Sequence, residues 1–272
     1  IPAVAGDATD RNQIREVLER YRPDVVINAA GRVGPTSDPA GWLGDYSVNY
    51  LTATATVDAL AMIDPERRPY LLWIGSQDEY GLAPGPWDES VEAIPTSAYG
   101  TSKLLATTIV TSAVRTGIVE GCVVRLPYVF GEAQAPALVV SRFVVAALQG
   151  EPLPTLPGNP SFVIAYAPDV AEWMIRLASA HDAASFPPVI NAPGYQPISQ
   201  HNLVGLIDSL VPGGVVAEPT HPEWSTGPSY AWPDTTLVET IGMGPVLETP
   251  LDYALGRTLG WYDRNRWFWT VG

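Results

Sequence analysis

The chain has 272 residues, 46% of them hydrophobic and 16% charged, with a formal net charge of −14 at pH 7. That apolar share fills a sizeable core and excludes a disordered chain, while the acidic balance excludes a protein that meets a phosphate backbone with a basic surface, so no nucleic-acid partner is expected. The single cysteine, Cys122, excludes an internal disulfide and reads as a buried thiol in a reducing, cytoplasmic setting; no apolar run reaches the roughly 18 residues that span a bilayer, so no membrane partner is expected.

In chain order, Gly6-Asp7-Ala8-Thr9-Asp10 leads into Ile14, Val17, Leu18 and Tyr21. Their i, i+3, i+4, i+7 spacing is that of an amphipathic helix, which Thr9 or Asp10 can cap. Val25-Val26-Ile27 reads as a buried strand. The pattern then predicts a helix from about Tyr46 to Ala61, a strand over Leu71 to Ile74, a helix from Tyr99 through Leu104, Leu105 and Ile109, and a strand over Cys122 to Leu126. Short strands of continuous rather than alternating hydrophobicity, separated by helices, predict an α/β fold: a doubly wound parallel sheet covered on both faces. Ligands of such sheets bind at the carboxyl ends of the strands, and Ser76 follows one of those ends. Beyond about Gly131 the texture changes. Pro136, Pro152, Pro154, Pro157, Pro160 and Pro168 mark turns and short elements. A smaller substrate-binding lobe is expected there, built around Arg142 to Gln149 and from segments near the carboxyl end.

The chemistry concentrates in Tyr99-Gly100-Thr101-Ser102-Lys103, with Ser76 twenty-three residues upstream of the tyrosine. Positions i and i+4 share a helix face, so the lysine ammonium stands near the phenol. A free tyrosine titrates near pH 10, and a nearby cation with a hydroxyl donor from Ser76 favours the phenolate, which makes Tyr99 a candidate acid/base beside a nicotinamide ring. His181, His201 and His221 are isolated, without metal-ligand spacing, and no Gly-x-Ser-x-Gly elbow is present, so neither a metal site nor a serine hydrolase is expected.

The strings Gly75-Ser76-Gln77-Asp78-Glu79-Tyr80-Gly81 and Pro95-Thr96-Ser97-Ala98-Tyr99-Gly100-Thr101-Ser102-Lys103 together resemble the extended short-chain dehydrogenase/reductases, the NAD-dependent sugar epimerases, dehydratases and ketoreductases. The resemblance implies a Rossmann-type sheet with NAD or NADP as cofactor and a nucleotide sugar as substrate. It also implies roles. Ser76, Tyr99 and Lys103 would be catalytic; the Gly6-Asp7-Ala8-Thr9-Asp10 turn would put Asp7 and the Ala8 backbone at the adenine; and Asn28-Ala29-Ala30-Gly31 would be a strand end kept small for the cofactor. Tyr46-Ser47-Val48-Asn49 is similar to a Val-Asn pair whose asparagine interrupts helix hydrogen bonding and supports the site. Arg125-Leu126-Pro127-Tyr128-Val129-Phe130-Gly131 resembles a loop that meets nicotinamide and substrate, so Leu126 and Tyr128 join the cofactor contacts, with Tyr128 where the family usually has asparagine. Ala167-Pro168-Asp169-Val170-Ala171 and Val189-Ile190-Asn191 resemble a later helix start and strand.

On this reading residues 1–131 form the cofactor-binding domain, and residues 132–272 form mainly the substrate lobe, with about 161–195 packing back on the sheet. The family's opening glycine-rich βαβ unit has no counterpart in the chain, so the choice between NAD and NADP is not legible. Sugar 4,6-dehydratases carry an Asp-Glu pair where this chain has Gln77-Asp78. An amide cannot donate a proton as an acid, so dehydration requires a register shift that recruits Asp78 and Glu79. The string is closer to reductases of GDP-4-keto-6-deoxymannose, favouring a 4-ketoreductase or 4-epimerase with Gln77, Asp78 and Tyr128 at the substrate. Arg142 is the candidate for the diphosphate, because no arginine precedes the Asp169 helix in Asn159 to Ile164. The competing readings are a dehydratase and a non-catalytic NAD(P)-binding regulator. A homodimer through the helices carrying Leu51 to Met62 and Tyr99 to Lys103 is the family-level expectation.

Overall fold

The computed structural model describes residues 3–33, 46–81, 85–151, 160–182, 186–212, 233–244 and 247–270. In chain order the elements are α1 (Arg11–Tyr21), β1 (Val25–Asn28), α2 (Ser47–Ala61), β2 (Tyr70–Ser76), α3 (Ala98–Arg115), β3 (Gly121–Leu126), β4 (Tyr128–Phe130) and α4 (Val139–Gln149). There follow β5 (Ser161–Phe162), β6 (Ile164–Tyr166), α5 (Ala167–Ser179), β7 (Val189–Asn191), β8 (Ile198–Ser199), α6 (Gln200–Ser209), α7 (Thr236–Thr240), α8 (Leu251–Arg264) and α9 (Trp267–Thr270). Of the residues named above, Pro152, Pro154, Pro157, Asn159 and His221 lie outside the described residues.

The central sheet has the order β1-β2-β3-β7 with every pair parallel. Its middle strands are buried on both faces, which is why they read as continuous apolar runs: Leu71, Leu72, Cys122, Val123 and Val124 are all fully buried. One face packs Leu71, Trp73 and Val123 against Leu18 of α1, Ala53, Ala59 and Leu60 of α2, and Ala106 and Val110 of α3. The other packs Leu72, Cys122, Val124 and Ile190 against Val170, Trp173 and Leu177 of α5 and Val238 of α7. A third cluster joins α4, α6 and α8 to Phe130, Phe162, Ile164 and Tyr166 on the short strands β4, β5 and β6. β4 pairs with β6 in parallel and β5 with β8 antiparallel.

Local chemistry explains the helix starts. Asp10 lies just before α1 and its carboxylate accepts the Asn12 and Gln13 N–H groups, while the Ser97 hydroxyl accepts from Gly100 at the start of α3. Gly100 also allows a close approach. A Cβ there would stand 2.4 Å from the Asp78 carbonyl oxygen, so the start of α3 lies directly against the turn after β2.

Two expectations need correction. Val25 to Ile27 is not a buried strand, since Ile27 is 42% exposed, and Val17 and Tyr21 of α1 are 37% and 40% exposed. The reason is the absence of cover. Among the described residues β1 pairs only with β2, and residues 4–8, α1 and β1 line an open hollow of about 560 Å³. Ser76 is moreover the last residue of β2 rather than a residue past its end.

Candidate active site

The carboxyl end of β2 turns at once into one 3-10 turn, Gln77–Glu79, and the Ser76 hydroxyl accepts from the Asp78 N–H at 3.2 Å. This is a capping box. Glu79 reaches back so that its Oε1 accepts the Ser76 N–H at 2.9 Å. Ser76 and Gln77 are buried, and Leu126 lies beside Ser76 in the β2–β3 register. Tyr99 stands in the first turn of α3, with its ring 5.8 Å from that of Tyr46, edge to face, and with the Ser76 hydroxyl and the Asp78 carboxylate acting on its phenol. Tyr128, at the start of β4, lies close enough to Asp78 and Gln77 for both to act on its phenol. Ser76, Gln77, Asp78, Tyr99, Leu126 and Tyr128 therefore converge on one strand end.

Lys103 is buried one turn along α3; its ammonium donates to the Ile74 carbonyl at 2.5 Å and lies 5.8 Å from the Trp73 ring centroid. Burial pulls its pKa down, and Glu79 partly restores it. The Tyr99 phenol is pushed up rather than down. Burial is the largest cause, the Asp78 carboxylate adds to it, and the Ser76 hydroxyl opposes both. The expected depression of the phenol by Lys103 is thus not the state of this site, because the ammonium is engaged with the strand and the dominant effect on Tyr99 is loss of water. Burial raises Asp78 as well, with Glu79 adding to the rise and Tyr128 opposing it.

Glu79 is the acid that motif reading undervalued. It has no exposed surface, and besides the Ser76 N–H it accepts from the Thr107 hydroxyl of α3 at 2.9 Å and from Arg125 Nε of β3 at 2.9 Å. The Arg125 guanidinium lies 4.4 Å from the centroid of the Tyr80 ring, which stacks on Trp87, and the Tyr80 hydroxyl donates to Asn191 of β7 at 2.8 Å. The Ser76-x-x-Glu79 spacing was the available signal for the capping box; nothing in the local string points to Arg125.

The other candidates sit apart. Asn49 is in the first turn of α2, which runs on without interruption; its side chain accepts the Arg32 N–H at 2.7 Å and donates to the Arg32 carbonyl at 3.1 Å and to Ser102 at 2.9 Å. It therefore ties the segment after β1 to α3 rather than breaking a helix. Ala29, Ala30 and Gly31 are exposed at the end of β1, and a Cβ on Gly31 would stand 2.7 Å from Asn49 Oδ1. Asp7 and Ala8 line the open hollow, and Asp7 Oδ1 accepts both the N–H and the hydroxyl of Thr9, which lowers its pKa. Arg142 lies near the start of α4, half-buried in the lobe. Among the described residues no group of three His, Cys, Asp or Glu side chains is placed to hold a metal, and no helix is long and apolar enough to cross a membrane.

Known structures share this architecture. The dTDP-glucose 4,6-dehydratase of Bacillus anthracis, solved with NAD, aligns over 98% of this chain and 81% of its own, with a TM-score of 0.79 and 18% identity. The UDP-glucose 4-epimerase of Thermotoga maritima, solved with UDP-glucose, aligns over 95% and 83% with a TM-score of 0.77 and 19% identity. The UDP-glucuronic acid 4-epimerase of Bacillus cereus, solved with UDP-glucuronic acid and NAD, aligns over 92% and 78% with a TM-score of 0.76 and 19% identity. At these identities the likeness is one of fold. No curated protein matches the chain in sequence. The family model, however, matches residues 2–192, and the chain belongs to the NAD dependent epimerase/dehydratase family.

Proposed function

We propose that the protein is an NAD(P)-dependent oxidoreductase acting at C4 of a nucleotide-activated sugar, as a 4-ketoreductase or 4-epimerase. The observation that carries this reading is the convergence of Ser76, Tyr99 and Asp78 on one strand end while Glu79 is fully committed to Ser76, Thr107 and Arg125. Dehydration needs two carboxyl groups, one acid and one base. With Glu79 held in a buried ion pair, the register shift that would recruit it beside Asp78 is disfavoured.

The residues present suit a dinucleotide. The exposed backbone of Ala29, Ala30 and Gly31 offers a strand end with nothing larger than a methyl group, Gly31 is held where a Cβ would meet Asn49, and Lys103 and Tyr99 stand beyond it on α3. Asp7 and Ala8 would meet the adenine and Lys103 the ribose, with Leu126 and Tyr128 nearer the nicotinamide. When bound, the cofactor supplies or accepts a hydride. Tyr99, protonated because burial and Asp78 favour its neutral form, donates its proton to the carbonyl oxygen in the reducing direction. Ser76 hydrogen-bonds the same oxygen. Gln77, Asp78 and Tyr128 border the site and orient the sugar, and Arg142 would meet the diphosphate from α4.

The lobe carrying α4, α6 and α8 would cover the sugar, and exposed Leu51 of α2 and Leu105 of α3 support a homodimer through these helices. The test of function follows absorbance at 340 nm with NADH or NADPH and a nucleoside-diphosphate 4-keto-6-deoxy sugar. Oxidation of either cofactor is expected. In a parallel assay with NAD and a 4-hydroxy nucleotide sugar in place of the ketone, interconversion of C4 epimers without net change at 340 nm would assign the epimerase, and cofactor binding with neither reaction would contradict the enzyme in favour of a regulator.

A further inference from the structure

We infer that Glu79, paired with Arg125, is a positioning residue of this site: it fixes the turn that presents Ser76 and holds a buried negative charge against Tyr99 and Lys103, setting the pH range in which Tyr99 works as an acid. The inference rests on the reading of Tyr99 as proton donor.

The geometry is that of a three-way clamp. One carboxylate oxygen takes the Ser76 N–H from the end of β2 and the Thr107 hydroxyl from α3; the other takes Arg125 Nε from β3. The side chains of the pair are 0% and 6% exposed. A single carboxylate thus joins the strand that carries the hydroxyl, the helix that carries Tyr99 and Lys103, and the neighbouring strand. Ser76 cannot shift along the strand direction without breaking a hydrogen bond to a charged acceptor.

The charge acts as well as the shape. Tyr99 is faced by Asp78 and Glu79 from the turn after β2, by Tyr46 from the residue before α2, by Tyr128 from β4, and by the Ser76 hydroxyl. Both acids favour the neutral phenol. Glu79 itself is faced by Arg125 from β3 and by Lys103 from α3, whose ammonium it helps to keep charged. Burial works against the Arg125 charge, but Glu79 and Tyr80 outweigh it, so the guanidinium keeps its charge against the Glu79 carboxylate 2.9 Å away. A neutral residue at position 79 removes one anion from the Tyr99 environment, and the phenol then ionises at lower pH.

Glu79→Gln preserves the volume and an oxygen for Ser76 and Thr107. Glu79→Gln/Arg125→Met removes both buried charges together, a change that folded proteins often tolerate, and serves if the single variant does not fold. The first readout needs no turnover: the protein labelled with 13Cζ-tyrosine is titrated by NMR, with the Tyr99 signal identified by its loss in Tyr99→Phe. The Tyr99 midpoint is expected to fall by up to about one pH unit in Glu79→Gln, and by less in the double variant, where the Arg125 cation is lost with the anion. A midpoint unmoved in a folded variant overturns the inference. The second readout is the alkaline limb of the reduction rate, which moves down in pH with the midpoint. If the midpoint moves and the limb does not, the assignment of Tyr99 as donor fails while the electrostatic effect of Glu79 stands.

Discussion

The turns that follow β1 and β2 leave neighbouring parallel strands at the same end of the sheet, yet they are built from opposite materials. At the last residue of β2 and just beyond it, Ser76, Gln77, Glu79 and Tyr80 are buried, and Ser76, Glu79 and Tyr80 are held by hydrogen bonds and an ion pair. After β1, Ala29, Ala30 and Gly31 are exposed and have almost no side chains. On the proposed reading the first turn would hold the reacting groups in place, which requires side-chain chemistry and rigid partners. On the same reading the second would leave backbone open for the cofactor, which requires that side chains be absent. Asn49 links the two, since it grips Arg32 beyond the β1 turn and Ser102 beside Tyr99.

Substitutions can break this division of labour. The largest effect belongs to the β2 side: Tyr99→Phe should lower turnover by about 10²–10⁴-fold, the usual contribution of a positioned acid/base, with cofactor binding retained, as checked by steady-state rates and calorimetric titration. Gly100→Ala forces a Cβ to within 2.4 Å of the Asp78 carbonyl oxygen. Overpacking of this kind costs about 1–3 kcal/mol, so urea denaturation should show that loss and turnover should fall with it. On the β1 side, Gly31→Ala drives Asn49 out of place, and the cofactor Kd should rise roughly tenfold, about 1.4 kcal/mol, with a smaller effect on turnover at saturation. An equal loss of turnover would mean that the two turns are not separable.

The smallest effect sharpens the contrast between the two adjacent acids. Asp78 has its pKa raised, chiefly by burial, so the folded state binds its proton more tightly than the unfolded chain does. Stability from this group is present at low pH and lost as pH rises from the ordinary carboxylate value through the raised one. Asp78→Asn removes that loss. Its Tm should exceed the parent's at neutral pH, and the advantage should vanish in acid below the unfolded carboxylate value. A Tm difference that does not change with pH would contradict the half-buried, protonation-favoring environment described for Asp78.

Much of the architecture was legible because it is local. The period of α1 and its Asp10 cap, the apolar runs of β2 and β3 and the Tyr99-to-Lys103 spacing are all short-range patterns, and the parallel α/β class follows from their alternation. What was not legible depends on distant neighbours. The exposure of Ile27 reflects what packs on β1 and not the strand's own residues. The partner of Glu79 is forty-six residues away on β3. The direction of the Tyr99 shift turned on burial, which spacing does not report, and on a lysine drawn to Ile74 and the Trp73 ring.

The most direct test of the central claim, that Ser76, Tyr99 and Lys103 serve hydride and proton transfer at C4, follows the atoms. NADH or NADPH deuterated at nicotinamide C4 is mixed with the 4-keto nucleotide sugar, and the product is examined by mass spectrometry and NMR. The account predicts one deuteron on sugar C4 with the parent protein and almost none in the same interval with Tyr99→Phe. Product formed without cofactor deuterium, or formed equally fast by Tyr99→Phe, would contradict it.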